Sequence, residues 1–382
     1  MISDSGRSRI WTAWLVTAVA LVLVLLFVGR VSRKMPDLAV YWTAAARARA
    51  AEPLYRADDG HYQFKYLPAF AVLAIPLSTV TLESAKALWF ATSVGLLTAL
   101  LTLSLRFLPT QRKQTWLLVG VTLAVMLKFY GHELVLGQMN LLFTVVVAVA
   151  VLAARTGNEW VVGALIALAI VVKPYAVIFL PWLLLRGRRV ALGIATAGTI
   201  LAMALPAVVY GLDGDIALHR EWWSTVSTST APNLTNADNV SIAAMWAKWI
   251  GAGTLATALT AGTAALVLTL TTLVCLNRKD LSFPEGLEAA LLLTLIPLLS
   301  PQGWDYVFLT STPAIMLLVN YDDLQPALPR YVIRIALAAI GLTLYDLMGR
   351  AAYGRFMSWS VITACYFVVL GGLWGLRRQG IA

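Results

Sequence analysis

Charged side chains are scarce in this chain: they make up 13% of 382 residues, against 60% hydrophobic, and the mean hydropathy is +0.78. A soluble domain carries roughly 25% charged residues. Too little charge is present to coat a water-facing surface, which excludes ordinary soluble α/β and repeat folds. Cysteine is nearly absent. Cys275 and Cys365 both fall inside apolar runs, which excludes a disulfide framework and leaves inert packing thiols. Histidine is almost as rare, and His61, His132 and His219 offer no pair spaced as metal ligands on one helix; neither a metal nor another cofactor is expected. The net charge of +10 is dispersed between apolar segments. That pattern argues against nucleic acid as a partner and for the lipid bilayer.

What the sequence has in abundance is long apolar runs, several near the ~20 residues that cross a ~30 Å hydrocarbon core as a helix. Pro and Gly inside them are compatible with spanning, because neighbouring helices satisfy the freed backbone groups. The expectation is an all-α polytopic membrane protein, one transmembrane domain over residues 1–382. The first run, Trp11 to Val28, follows Arg7 and Arg9 and is longer than the ~7–15 apolar residues of a cleavable signal peptide. Gly29-Arg30-Val31 offers no cleavage site, so a retained signal-anchor helix is expected.

Lys and Arg collect in short cytoplasmic loops. With the N-terminus inside, a long extracytoplasmic loop runs over 31–83. Its apolar stretch Leu67–Val80, interrupted by Pro68 and Pro76, is short for a span and is expected to lie along the outer surface or re-enter partway. Helices follow over about 84–105, 115–130, 139–154, 160–172, 174–185, 190–210, 253–276, 287–300, 304–320, 331–347 and 356–376. Inner loops then hold Arg106, Arg112, Lys113, Arg155, Arg186, Arg188, Arg189, Arg278, Lys279, Arg377 and Arg378. About twelve spans result, with both termini cytoplasmic. Counted over the whole chain, the basic residues of the long first loop remove the bias; the short loops carry it.

Under this topology five polar clusters gather on the outer face: Asp37, Gly137-Gln138-Met139-Asn140, Lys173-Pro174, the Asn233–Asn239 loop, and Ser300-Pro301-Gln302-Gly303-Trp304-Asp305-Tyr306. Ionisable groups at membrane depth are costly and point to function, so a cavity is expected there. Pro36 opens a helix in which Asp37 and Tyr41 share one face. Asp37 there is either a general base for an attacking hydroxyl or a first-turn acid complementing the helix dipole. Lys173, within an apolar stretch, either neutralises a phosphate on a lipid-borne substrate or snorkels from a helix end. Arg47, Arg49, Arg350 and Arg355 are further phosphate candidates on the same face, or solvated helix residues. Trp42, Trp222 and Trp223 suit sugar stacking or an interfacial belt. Asn233-Leu-Thr and Asn239-Val-Ser match the glycosylation pattern, which matters only in a eukaryotic secretory route.

These motifs, in order, resemble glycosyltransferase family 87, the bacterial polyprenyl-phosphate-mannose-dependent α-mannosyltransferases of the GT-C superfamily. The resemblance runs from Asp37 to about Pro313. It is carried by Asp37-Leu-Ala-Val-Tyr41, Pro53-Leu-Tyr55, Phe64-Lys-Tyr66-Leu-Pro68 with Pro76-Leu77, Gly137-Gln138-Met-Asn140, Lys173-Pro174, Asn239-Val-Ser241 and Ser300-Pro301-Gln-Gly-Trp304-Asp305. It implies a GT-C fold with outer-face juxtamembrane helices in the first loop and an essential acid there, Asp37 as catalytic base. It also implies inverting transfer of a sugar from a polyprenyl-phosphate-linked donor to a glycolipid or glycan hydroxyl, on the extracytoplasmic side of a bacterial plasma membrane. Lys173, with Arg350 and Arg355, would meet the donor phosphate. Tyr41, Tyr66, Gln138, Asn140, Asn239, Trp304 and Asp305 would line the substrate cavity. No metal is implied, since the leaving group is a single phosphate.

The family often carries histidines directly after the Trp-Asp; here Tyr306 and Val307 stand there, which leaves the sugar open. A transporter or flippase of a lipid-linked saccharide is the alternative, and a non-catalytic subunit of an envelope-assembly complex a third. Transport would favour paired inverted halves with matched helix breaks, and residues 1–190 and 191–382 show no such repeat.

Overall fold

The structure, a computed structural model, describes residues 21–277 and 281–381. Arg7, Arg9, the start of the first apolar run and the Arg278-Lys279 marker lie outside the described residues. Those described are helical throughout, with no strand beyond one isolated bridge between Asn239 and Trp304.

By length and composition, four described helices can cross a membrane: Leu82–Arg106, Thr115–Leu136, Thr254–Leu276 and Val361–Arg378. Two bent pairs bring the count to six if each is one span: Arg189–Met203 with Ala207–Asn233 at 89°, and Ala327–Leu342 with Tyr345–Ser358 at 107°. Asn140–Arg155, Glu159–Val172 and Pro174–Leu185 are apolar but shorter; at ~1.5 Å per residue, 16 residues give ~24 Å, less than the ~30 Å core. The walk to about twelve crossings therefore counts elements that fall short on length. Thr254–Leu276 is apolar all round yet mostly exposed. A helix of that composition in such a place must face lipid.

Two runs read as single helices are bent, for local reasons. The helix from Arg189 stops at Met203, since Pro206 lacks an amide hydrogen, and a further kink follows at Gly211, φ +71°, within Ala207–Asn233. The next helix then continues through Asn233, so most of the expected outer loop over 211–240 is helical. The second run ends at Leu342, and a separate helix, Tyr345–Ser358, carries Arg350 and Arg355. In the first loop, Pro36–Arg49 and Pro68–Leu73 are helices that open on proline, and a 3₁₀ turn covers Ile75–Thr79. Pro68 to Ala71 are buried.

Buried apolar residues form two clusters. One centres on Pro36–Arg49, Asn140–Arg155, Glu159–Val172 and Phe179–Leu185. The other is built on Thr115–Leu136, Pro284–Leu299, Thr312–Asn320, Ala327–Leu342 and Val361–Arg378.

Basic loop residues meet at one end of the bundle. Arg186 and Arg377 converge on the buried Glu288, Arg188 reaches the Ala154 carbonyl at 2.6 Å, and Arg112 pairs with Asp323 at 2.7 Å. The polar clusters meet at the other end.

Candidate active site

The site is built around the Gly137 turn. Thr115–Leu136 ends where Gly137 takes φ +71°, and a side chain at that position would sit 2.8 Å from Leu38 Cβ. Glycine therefore lets the start of the Pro36–Arg49 helix approach the turn closely. The Met35 amide locks the two together by donating to the Val135 carbonyl at 2.9 Å. Asp37 is thereby set beside Gln138.

Gln138 bridges the two charges singled out from the sequence. Its Nε2 donates to Asp37 Oδ2 at 2.6 Å and approaches Tyr306 Oη at 3.3 Å. Its Oε1 accepts from Tyr41 at 3.0 Å, Tyr66 at 3.2 Å and Lys173 Nζ at 3.3 Å. Lys173 also donates to Tyr66 Oη at 2.6 Å. It reaches the site because Pro174 biases the residue before it towards extended backbone. Lys173 has φ −145° and ψ 112° and ends the Glu159–Val172 helix. Trp89 Nε1 holds the turn from behind, donating to the Gln138 carbonyl at 3.2 Å.

Asp37 and Lys173 open into one cavity of about 480 Å³, lined also by Tyr41, Lys65, Tyr66, Gln138, Trp222, Ser300, Trp304 and Tyr306. Asp37 is the one carboxylate among its described lining residues. Neither Asp37 nor Lys173 forms an ion pair among the described residues; the hydrogen-bond partners of Lys173 are neutral oxygens. Burial lifts the Asp37 carboxyl above the ordinary aspartate range, against the Gln138 hydrogen bond and the charges of Lys173, His61 and Lys65. Burial also lowers the Lys65 ammonium, which the Asp37 charge opposes.

The remaining candidates divide. Tyr41, Tyr66, Gln138 and Trp304 are on the cavity wall. Asn140, Asn239 and Asp305 are fully buried behind it. Asn140 Nδ2 donates to Glu133 at 2.8 Å. Asn239 Nδ2 donates to the carbonyls of Asn233 and Pro301 at 3.0 and 2.8 Å, tying the 233–239 loop to the Ser300 turn. Asp305 pairs with the buried Lys128 at 2.5 Å and lies 3.5 Å from His132 Nδ1. These three hold the segments that present Gln138, Trp304 and Tyr306. Arg350 and Arg355 are exposed and lie off the cavity wall. Arg47 is held by Asp59 at 2.5 Å, Arg49 by the Ser78 carbonyl at 2.9 Å, and Trp42 by the Val80 carbonyl at 3.0 Å.

Sequence reasoning passed over Lys65, although it stands between two of the quoted aromatics, and Tyr175, next to the quoted Lys173-Pro174; both line the cavity. It also missed Lys128 and Glu133, buried charges in an apolar helix. Their sequence signal was their ionisable character at membrane depth.

A family model for glycosyltransferase family 87 matches residues 64–301, more than half of the chain. The chain belongs to glycosyltransferase family 87. No curated protein and no solved structure matches it. Membership makes the chain a membrane glycosyltransferase, with a sugar donor and an acceptor as its substrates, and the matched span contains Gln138, Lys173 and most of the cavity wall. Asp37 lies before the matched residues and is joined to them through Gln138. A GT-C architecture is consistent with the helical fold.

Proposed function

We propose that this family 87 glycosyltransferase moves a hexose, mannose first among the candidates, from a polyprenyl-phosphate-linked donor to a hydroxyl of a glycolipid or glycan. Asp37 acts as general base on that hydroxyl. Lys173 pairs with the donor phosphate and stabilises the charge that develops as polyprenyl phosphate leaves. The observation that carries the reading is that the one carboxylate of the described lining, Asp37, and Lys173, neither ion-paired, face the same cavity across Gln138.

The chemistry follows from that inventory. The acceptor oxygen forms a bond to the anomeric carbon while the bond to the phosphate oxygen breaks, and the hydroxyl proton passes to Asp37. A covalent sugar–enzyme intermediate would need a nucleophile with a separate acid–base group. A single lining carboxylate supports one displacement, with inversion. Tyr41, Tyr66 and Trp304 supply rings and hydroxyls to the sugar. The polar end then faces outward and the basic end the cytoplasm, the arrangement supported by the clustering of Arg186, Arg188 and Arg377. About twelve crossings with both termini inside, in a bacterial plasma membrane, complete the reading.

The test uses purified protein, a polyprenyl-phospho-mannose donor and a glycolipid acceptor. Asp37→Asn is expected to lose about 10²–10⁴-fold in transfer while still binding donor. Wild-type turnover by that variant would remove Asp37 from the mechanism. Lys173→Ala is expected to weaken donor binding, and an unchanged affinity refutes its phosphate role.

A further inference from the structure

The Ala207–Asn233 helix divides its surface three ways. At 3.6 residues per turn, Leu212, Ile216 and Trp223 fall on one face, and they are 75%, 52% and 66% exposed. A second face packs on the protein. There Asp215 and Leu218 are buried, Trp222 Nε1 donates to the Lys65 carbonyl at 3.1 Å, and Gln302 Nε2 donates to the Ser229 and Thr230 hydroxyls at 3.1 and 2.9 Å. The third face is exposed and polar, with Asp213, Arg220, Glu221, Ser224 and Thr228. That much charge excludes the helix as a span, whereas an apolar stripe beside a charged face suits the lipid–water boundary.

The chain before it says what covers the stripe. Ile200, Leu201 and Met203 at the end of Arg189–Met203, and Val208 after it, are exposed apolar residues that lead into Leu212. The two helices cross at 89°. A lipid-facing helix that turns through a right angle lays its successor along the membrane plane, and tryptophan is enriched at that depth.

We infer that the Ala207–Asn233 helix lies in the bilayer surface, with Leu212, Ile216 and Trp223 among the lipids, and forms the membrane-side wall of the cavity. Trp222, Val226 and Thr230, on the adjoining face, line that cavity. Its mouth therefore opens at headgroup depth, where a lipid-borne substrate presents its polar end. This consequence rests on the proposed function; the lipid contact does not.

The experiment places the full chain, carrying Cys275→Ser and Cys365→Ser, in phosphatidylcholine nanodiscs. One nitroxide is attached in turn at Leu212→Cys, Ile216→Cys or Trp223→Cys, and at Ser224→Cys and Thr228→Cys for comparison. Paramagnetic collision is read with oxygen, which partitions into lipid, and with a water-soluble nickel chelate. The expected result is oxygen dominance at 212, 216 and 223 and nickel dominance at 224 and 228. Nickel dominance at all five overturns the inference, as does protection from both reagents at the first three, which means protein cover. These readouts stand whether or not transfer is detected. For the wall itself, Trp223→Asp is expected to raise KM several-fold for a long-chain donor in bilayers and leave a short-chain soluble donor unaffected. Equal loss with both donors overturns that consequence.

Discussion

Replacing Gln138 with methionine separates the base from the phosphate site, because the amide serves both from opposite ends. Its Nε2 stabilises ionised Asp37 at 2.6 Å, and this hydrogen bond is the largest influence opposing burial at that carboxyl. Methionine has similar volume and no donor. A hydrogen bond to a charged group contributes about 1.5–3 kcal/mol, and about 1.4 kcal/mol corresponds to one pH unit. Gln138→Met should therefore raise the Asp37 pKa by about 1–2 units. The sign follows from the role: the base works ionised, so activity is lost as pH falls through its pKa. In a kcat/KM profile the acidic limb moves up by that amount, and activity lost near neutrality returns as pH is raised. Lys173 keeps its 2.6 Å bond to Tyr66, so donor affinity should change little. An acidic limb at the wild-type position in a folded variant would mean that the titrating base is not Asp37, or that Gln138 does not set its charge.

Two further substitutions test how the site is held. Gly137→Ala forces a side chain into positive φ and against Leu38 Cβ; a strained residue of this kind costs about 1–3 kcal/mol, so thermal unfolding in detergent should shift down, and an unchanged Tm would show that the turn yields. Lys128→Met leaves Asp305 as a buried acid without its lysine, a change that costs about 3–5 kcal/mol, whereas Lys128→Met with Asp305→Asn should recover much of the loss; equal Tm values for single and double variants would deny the coupling.

Much of the helical framework was legible because lipid demands long apolar runs. The 84–105 and 253–276 readings differ from Leu82–Arg106 and Thr254–Leu276 by a residue or two. The Gly137 turn and the Lys173 break were also visible, since glycine and the residue before proline restrict backbone geometry. Side-chain direction was not. Asn140, Asn239 and Asp305 are in motifs that reach the cavity, yet each turns away to satisfy another buried group. The partner of Asp305, Lys128, is far away in sequence and inside an otherwise apolar run. The exposed positions of Arg350 and Arg355 depend on the 107° bend before them, and no composition pattern marks such a bend.

Buried charge alone does not mark a functional site, and the bundle contains its own control. Glu288 is fully buried, yet it accepts from Trp182 at 2.9 Å, from Arg186 at 2.6 Å and from Arg377 at 3.3 Å. Nothing is left for a ligand to satisfy, and the cluster pins three helices at the basic end. Asp305 likewise has its counterion within the protein, in Lys128. Lys173 differs in kind: its partners are neutral oxygens, it faces an open cavity, and the carboxylate it shares that cavity with is held one amide away. Glu133 and Asp37 act on Lys173 only at a distance; a desolvated cation without a direct partner is costly, and a phosphate entering the cavity would supply one. The missing direct ion pair at the cavity wall, rather than the burial, is what points to an anionic substrate at Lys173.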